Sequence, residues 1–250
     1  MQYGICNLSI VPLRLEPQDP SEMVSQVLYG EHFKVLEKRK KWSRIRLAFD
    51  QYEGWIDNKQ YSEITENQYK DFDKSPLDLV GDIAEFVSCE NNQLMVVSLG
   101  ASLKALHYFN HQYEGSRITQ KLGKNNIINT ALLFLNAPYL WGGKTVFGID
   151  CSGFTQIVYK LNGYAILRDA SQQATMGEPL SFIEESEPGD LAFFDNEEGR
   201  ITHVGIMMKD NYVIHAHGKV RIDRIDHTGI YNVEKRTHTH KLRVIKRIAL

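Results

Sequence analysis

Pro138-Tyr139-Leu140-Trp141-Gly142-Gly143-Lys144-Thr145-Val146-Phe147-Gly148-Ile149-Asp150-Cys151-Ser152-Gly153 carries a cysteine to the point where a glycine-bearing loop becomes an apolar, helix-forming run. Residues Ser152 to Leu161 read as a helix, and Asp150 stands where an N-cap belongs. A helix N-terminus favours negative charge, so this position is expected to lower the pKa of the Cys151 thiol. The thiolate is the nucleophilic form, and Cys151 is therefore the candidate nucleophile. The competing reading of the same position is an inert cysteine buried at a helix start.

A cysteine nucleophile needs a base, and histidine is the usual one. Nine histidines are present. His203 lies in a strand-like run, Thr202-His203-Val204-Gly205-Ile206-Met207, and His215 and His217 lie in the next, Val213 to Gly218. A hairpin turning through Lys209, Asp210 and Asn211 sets His203 opposite His217, with His215 its diagonal neighbour on the same face about 7–8 Å away. One imidazole can take the thiol proton while another polar group orients it. Strand geometry leaves His215 and His217 as alternatives for that second place. A zinc site built from the same three histidines is a further alternative.

Around this centre the pattern is that of an α+β domain. Ile127, Ile128, Ala131, Leu132 and Leu135 recur at helical spacing until Pro138 closes the helix. Strand runs follow at Asp190 to Phe194, His203 to Met208, Tyr212 to Ala216 and Leu242 to Ile248. The domain boundary is placed near residue 119. Upstream, residues 1–60 read as a small β-barrel. Phe33 to Leu36 is one apolar run, Ile45, Leu47 and Phe49 alternate with Arg44, Arg46 and Ala48, and Gly54-Trp55-Ile56 begins another strand. Glu37 to Lys41 is a solvated hairpin tip, and Pro12, Pro17 and Pro20 are expected to keep the first segment irregular. Residues 61–118 read as a linker helix near Glu63 to Tyr69 and a second small barrel. Its strands are placed at Ala84 to Val87, Leu94 to Val97 and Ser102 to Tyr108, with a turn at Asn91-Asn92.

Composition narrows the class of partner. The 29 Lys+Arg against 31 Asp+Glu leave a net charge of -2, so no basic excess points to nucleic acid or an anionic membrane surface. The longest uncharged run, between Lys124 and Lys144, holds Asn125, Asn126, Asn129, Asn136 and Pro138, which are costly in lipid. Three widely spaced cysteines, Cys6, Cys89 and Cys151, fit neither a disulfide scaffold nor a Cys-x-x-Cys metal site, and a reduced compartment suits them. The first residues have no charged n-region and no unbroken apolar core, so the expectation is a cytoplasmic protein.

Pro138-Tyr139-x-Trp141-Gly142-Gly143, Gly148-x-Asp150-Cys151-Ser152-Gly153, His203-Val204-Gly205-Ile206 and a histidine twelve positions on together resemble the NlpC/P60 cysteine peptidases. The resemblance covers most of residues 119–250. Within that family the chain is similar to the γ-D-glutamyl-L-diamino-acid endopeptidases with N-terminal bacterial SH3 modules. Ser21 to Gln26, Leu28 to Glu31 and Gly54 to Ile56 resemble the first such module, and Leu99 to Leu103 the second. The implied architecture is a papain-like α+β catalytic domain, 119–250, preceded by two SH3-like barrels, 1–60 and 61–118.

The resemblance implies roles. Cys151 attacks the carbonyl of a γ-D-glutamyl bond, His203 is general base and then general acid, and His215, by its spacing, is the third member. Tyr139 stands by the developing oxyanion, with the Cys151 backbone N–H as a second donor. Asp150 is set against the free amino end of the substrate and Ser152 against the D-Glu carboxylate. Arg168 and Asp169 line the same cleft, Arg168 either facing that carboxylate or pairing locally with Asp169. Ala170 replaces the serine that relatives carry there. Glu22 and Tyr52 of the first barrel are the candidates for recognising a free N-terminal L-Ala. The expected substrate is a murein peptide, L-Ala-γ-D-Glu joined to diaminopimelate or Lys, and no metal or cofactor is expected. The rival readings are an inactive murein-binding protein and an amidase or acyltransferase on the same scaffold.

Overall fold

A computed structural model of the chain describes residues 1–90 and 93–248. It divides into two compact units, Met1–Lys121 with Trp141–Val146, and Leu122–Leu140 with Phe147–Leu250. Trp141–Val146, expected to belong with the cysteine loop, thus belongs with the first unit.

The first unit opens with strands β1 Gln2–Ile5, β2 Ile10–Arg14, β3 Met23–Leu28, β4 His32–Lys38, β5 Trp42–Leu47, β6 Glu53–Asp57 and β7 Ser62–Ile64, in the antiparallel order β3-β2-β6-β5-β4-β1-β7. Alternation along β4 and β5 turns Phe33, Val35, Ile45 and Leu47 into a core shared with Cys6, Val11, Leu13, Val27 and Ile56. Each such fully buried side chain contributes roughly 1.5–3 kcal/mol. Two expectations change here. Pro12 sits inside β2, at a position paired only with Gln26 of β3, where its missing N–H leaves no ladder bond to a second strand. The sheet also runs past residue 60, because β7 pairs with β1. Helix α1 Glu66–Lys74 follows, started by a capping box between Thr65 and Gln68, and it packs Tyr69 and Phe72 on Tyr3, Ile5 and Ile64.

Residues 79–118 hold β8 Leu79–Val80, β9 Ala84–Ser88, β10 Leu94–Ser98, β11 Gln112–Tyr113 and β12 Arg117–Ile118. Among the described residues these form a three-stranded sheet, β10-β9-β11, and a separate two-stranded ladder, β12-β8. The strand expected at Ser102 to Tyr108 is instead a series of turns, closed by bonds such as Leu106 N–H to Leu103 O and Phe109 N–H to Ala105 O. Leu103, Ala105 and Leu106 are buried by this compact winding and not by alternation, while Tyr108 is exposed. The turn expected at Asn91-Asn92 lies outside the described residues.

In the second unit, α2 Ile127–Leu132 ends three residues earlier than its apolar spacing suggests. The chain tightens through Leu133–Leu135 and reverses at Asn136, whose φ of 68° is left-handed. Beyond β13 Lys144–Thr145 of the first unit come β14 Gly148–Ile149, α3 Cys151–Leu161, α4 Ala170–Gln173 and β15 Glu178–Pro179. All eleven residues of α3 are buried, as befits a helix apolar around most of its circumference. Several of its polar members bond to neighbouring elements. Thr155 Oγ1 donates to Gln173 Oε1 at 2.7 Å and Tyr159 Oη to the Gly189 carbonyl at 2.5 Å.

Six strands complete the unit: β16 Leu191–Asp195, β17 Ile201–Met207, β18 Tyr212–His217, β19 Lys219–Ile225, β20 Gly229–Asn232 and β21 Thr237–Arg247. They pair in sequence order, and β21 pairs with both β16 and β20, so the sheet closes on itself; β15 extends it from β21. Ala192, Phe194, Met207, Val213, Ile225, Ile230 and Ile245 fill the interior of this barrel. β19 and β20 were not among the expected strands. In β19 the charged Lys219, Arg221, Asp223 and Arg224 mask a period-2 pattern.

Candidate active site

Asp150 caps α3, its side chain accepting from Gly153 N–H at 2.6 Å. Cys151 is thereby fixed as the first helical residue and is only 5% exposed. Its thiol accepts from the backbone N–H of Val204, the residue after His203, and from that of Ser152. Burial pushes the thiol up to about 12, with the Asp150 carboxylate adding to the shift, and these outweigh the Val204 and Ser152 N–H groups and Arg168. The lowering expected from the helix start is present in the Ser152 N–H contact, but burial outweighs it and the net direction is upward, toward the neutral thiol.

The hairpin of β17 and β18 turns through Lys209–Asn211, with Asp210 and Asn211 both left-handed, and pairs Gly205 with His215. That register carries His203 toward His217 across the ladder, as the three-residue loop requires. The hydrogen bond nevertheless goes to the diagonal neighbour: His203 Nε2 and His215 Nδ1 are 2.8 Å apart. Gly205 makes this possible. A Cβ there would lie 2.6 Å from Val213 Cγ2 and 3.0 Å from His215 Cβ, so only glycine leaves the His215 side chain its place. His215 Nε2 in turn meets Asp223 Oδ2 at 3.0 Å, and Arg221 clamps Asp223 through Nε at 2.6 Å and Nη2 at 2.9 Å. His240 of β21 stacks on His203 with ring centroids 4.3 Å apart. Burial holds His203 well below the usual histidine range, helped by His215, His240 and His217, and it lowers His215 against the pull of Asp223. Burial and the neighbouring His215 and His217 bring His240 to about 3. The resting pair is a neutral thiol and a neutral imidazole.

Tyr139 is held by a bond from its N–H to the Gly218 carbonyl at 2.9 Å and a bridge to Ile149. Burial raises its hydroxyl, with Cys151 and Asp150 adding to the effect, so it stays a protonated donor near the nucleophile. Arg168 is 1% exposed and faces a carboxylate of the chain itself. Its Nη1 and Nη2 meet Asp150 Oδ1 and Oδ2 at 3.0 and 2.7 Å, and Nη1 also reaches Ser152 Oγ at 2.9 Å. These bonds add Asp150 and Ser152 to the partners that the sequence offered for Arg168. Asp150, expected against a substrate ammonium, has its charge matched by a buried guanidinium. Asp169 is half-buried and starts α4, its N–H donating to Gln172 Oε1 at 3.1 Å. Among the described residues, no group of three or more His, Cys, Asp or Glu is placed to hold a metal ion.

Residues 136–241 match the NlpC/P60 family, and residues 13–60 match the bacterial dipeptidyl-peptidase SH3 domain. A γ-D-glutamyl-L-lysine dipeptidyl-peptidase of Bacillus cereus is 30% identical over 230 residues, covering 78% of this chain and 68% of that protein. The chain belongs to the NlpC/P60 family. A protein of the same name from Bacillus subtilis is 41% identical over 111 residues, and the chain covers 37% of its length. A crystal structure of an NlpC/P60 family protein from Bacillus cereus shares the fold with a TM-score of 0.76 at 20% identity, covering 98% of this chain and 99% of that one.

The other two candidate residues lie in the SH3 unit. Glu22 is exposed and its Oε1 accepts from Trp141 Nε1 at 2.6 Å, so the tryptophan of the motif is a partner of Glu22 within that unit. Tyr52 is half-buried and packs against the barrel core. Sequence reasoning missed Asp223, Arg221 and His240 of the NlpC/P60 unit. Reading Lys219 to Ile225 as a strand would have found the first two, since alternation puts Arg221 and Asp223 on one face and pairs Arg221 with His215.

Proposed function

We propose that the protein is a cysteine endopeptidase that hydrolyses the γ-D-glutamyl bond to the diamino acid, Lys or diaminopimelate, in L-Ala-γ-D-Glu peptides released from murein. The observation that carries this reading is the His203–His215 bond beside a thiol that is fixed at a helix start and contacted by the next backbone N–H, that of Val204. His203 Nε2 is taken by His215, which leaves Nδ1 for the thiol proton. As Cys151 Sγ bonds to the γ-carbonyl carbon, its proton passes to His203 Nδ1, and the negative oxygen is met by the Cys151 N–H and the Tyr139 hydroxyl. His203 then gives the proton to the departing amine, and water hydrolyses the thioester with His203 again as base. The names of the relatives support the bond type. The term dipeptidyl-peptidase in those names supports release of a dipeptide from a free amino end; with L-Ala at that end, stems still attached to muramic acid would be excluded, which would fit recycling in the cytoplasm.

The test is mass-spectrometric digestion of L-Ala-γ-D-Glu-L-Lys, its diaminopimelate counterpart and both N-acetylated forms. Release of L-Ala-γ-D-Glu from the free peptides alone is the expected result. Equal rates on the acetylated forms would defeat the amine requirement, and no cleavage of any of the four would defeat the assignment. Glu22→Gln tests whether that carboxylate takes part in the discrimination.

A further inference from the structure

We propose that Asp223 is a positioning residue that fixes the direction of the His215–His203 hydrogen bond, so that His203 presents the lone pair of Nδ1 to the Cys151 thiol. The inference rests on the cysteine-peptidase reading above and deepens it.

The argument follows the protons from the Arg221 end. Arg221 can only donate, and it meets both Asp223 oxygens, Nε on Oδ2 and Nη2 on Oδ1. Burial of Asp223 acts to raise its pKa, yet the bonds and charges of His215 and Arg221 outweigh it and bring the carboxyl to about 2. An ionised carboxylate accepts only, so the proton between Asp223 Oδ2 and His215 Nε2 sits on the imidazole. His215 is neutral and carries one ring proton, which makes its Nδ1 an acceptor. The partner across 2.8 Å, His203 Nε2, must then be the donor. A neutral His203 protonated on Nε2 has its lone pair on Nδ1. When the thiol proton arrives there, His203 becomes an imidazolium that still donates from Nε2 to His215, and no proton moves further along the chain. Without the carboxylate, His215 can point its single N–H either way. The opposite direction puts the resting proton of His203 on Nδ1, where no lone pair remains for the thiol.

Nitrogen-15 NMR of the parent enzyme labelled in histidine reads both tautomers directly. His203 and His215 should each be protonated on Nε2 at pH 7.5; a His215 protonated on Nδ1 overturns the proposal. Asp223→Asn keeps the size but offers an N–H. A carboxylate-to-amide change directly behind a catalytic histidine costs ~10⁴-fold elsewhere, and with one more imidazole between, kcat should fall ~10²-fold while KM changes little. The tautomer signals should become mixed or reversed, and Asp223→Glu should recover at least a tenth of the lost rate. Parent-like tautomers and kcat in the Asn variant would overturn the idea. The parent spectrum needs neither a variant that folds nor a known substrate. Failure to cleave murein peptides would therefore count against the proposed function while the tautomers still decide the role of Asp223.

Discussion

Cys151 and Arg168 show how far burial decides the behaviour of single groups. The thiol stands at a helix start, yet loss of solvent outweighs the backbone N–H groups that favour its charge. The resting enzyme should therefore lack thiolate absorbance near 240 nm at pH 7, measured as the difference between the parent and Cys151→Ala. A full thiolate signal at that pH would mean a preformed ion pair with His203. Cys151→Ala itself should fold normally and lose at least ~10³-fold in kcat on the proposed peptides. Arg168 is the opposite case, a buried charge with its partners in place. Arg168→Met takes the guanidinium away from the buried Asp150 carboxylate, a change that typically costs ~3–5 kcal/mol, and urea unfolding should show a loss of that size. A loss below about 1 kcal/mol would mean that water reaches Asp150 in the variant. Sequence made the position of Arg168 visible but not its partner, because a side chain of that length reaches residues 16 and 18 positions away as readily as its neighbour.

The element that organises the site is the β17–β18 hairpin, where Gly205 gives His215 room. Gly205→Ala should press on Val213 and His215, lowering kcat by ~10-fold or more with a smaller effect on KM; an unchanged kcat would show that the strands part without disturbing His215. This hairpin was legible in advance because alternating apolar residues, a three-residue turn and a register tied to it all point to one pairing. The choice of His215 over His217 was not legible from pairing. Direct opposition favours His217, whereas ring orientation and the Asp223 carboxylate favour the diagonal partner. The same limit explains β19 and β20. In β19 the charged Arg221 and Asp223 stand at the site, so the hydrophobic period that reveals a half-buried strand is broken where the chemistry sits, and β20 is only four residues long. α2 was overextended because apolar spacing continues through Leu135, while the left-handed Asn136 and the preceding turns stop the helix earlier.

For the whole molecule, the histidines set the response to acid. His203, His215, His217 and His240 all have lowered pKa values in the folded NlpC/P60 unit. In the unfolded chain they titrate near 6.5. Below that value the unfolded state binds the protons that the barrel refuses, so stability falls with pH until the folded values are reached, about 3 for His240. Each buried histidine kept neutral through that window takes away ~1.4 kcal/mol per pH unit. Asp223 adds to the loss at the lower end, its contribution being present above about 4 and disappearing as pH falls through its folded value of about 2. Urea midpoints should drop steeply from pH 6.5 to 4, and less steeply in His240→Gln. A flat profile between pH 7 and 5 would contradict the buried neutral state. The closed barrel also orders events during synthesis. β21 supplies His240 and pairs with β16 and β20 alike, so the ring of strands stays open until Thr237–Arg247 has left the ribosome. The first unit's sheet, β1 to β7, is complete from the first 64 residues and can form early. A nascent chain thus carries Cys151 for almost a hundred residues before the strand that lays His240 on His203 has been made.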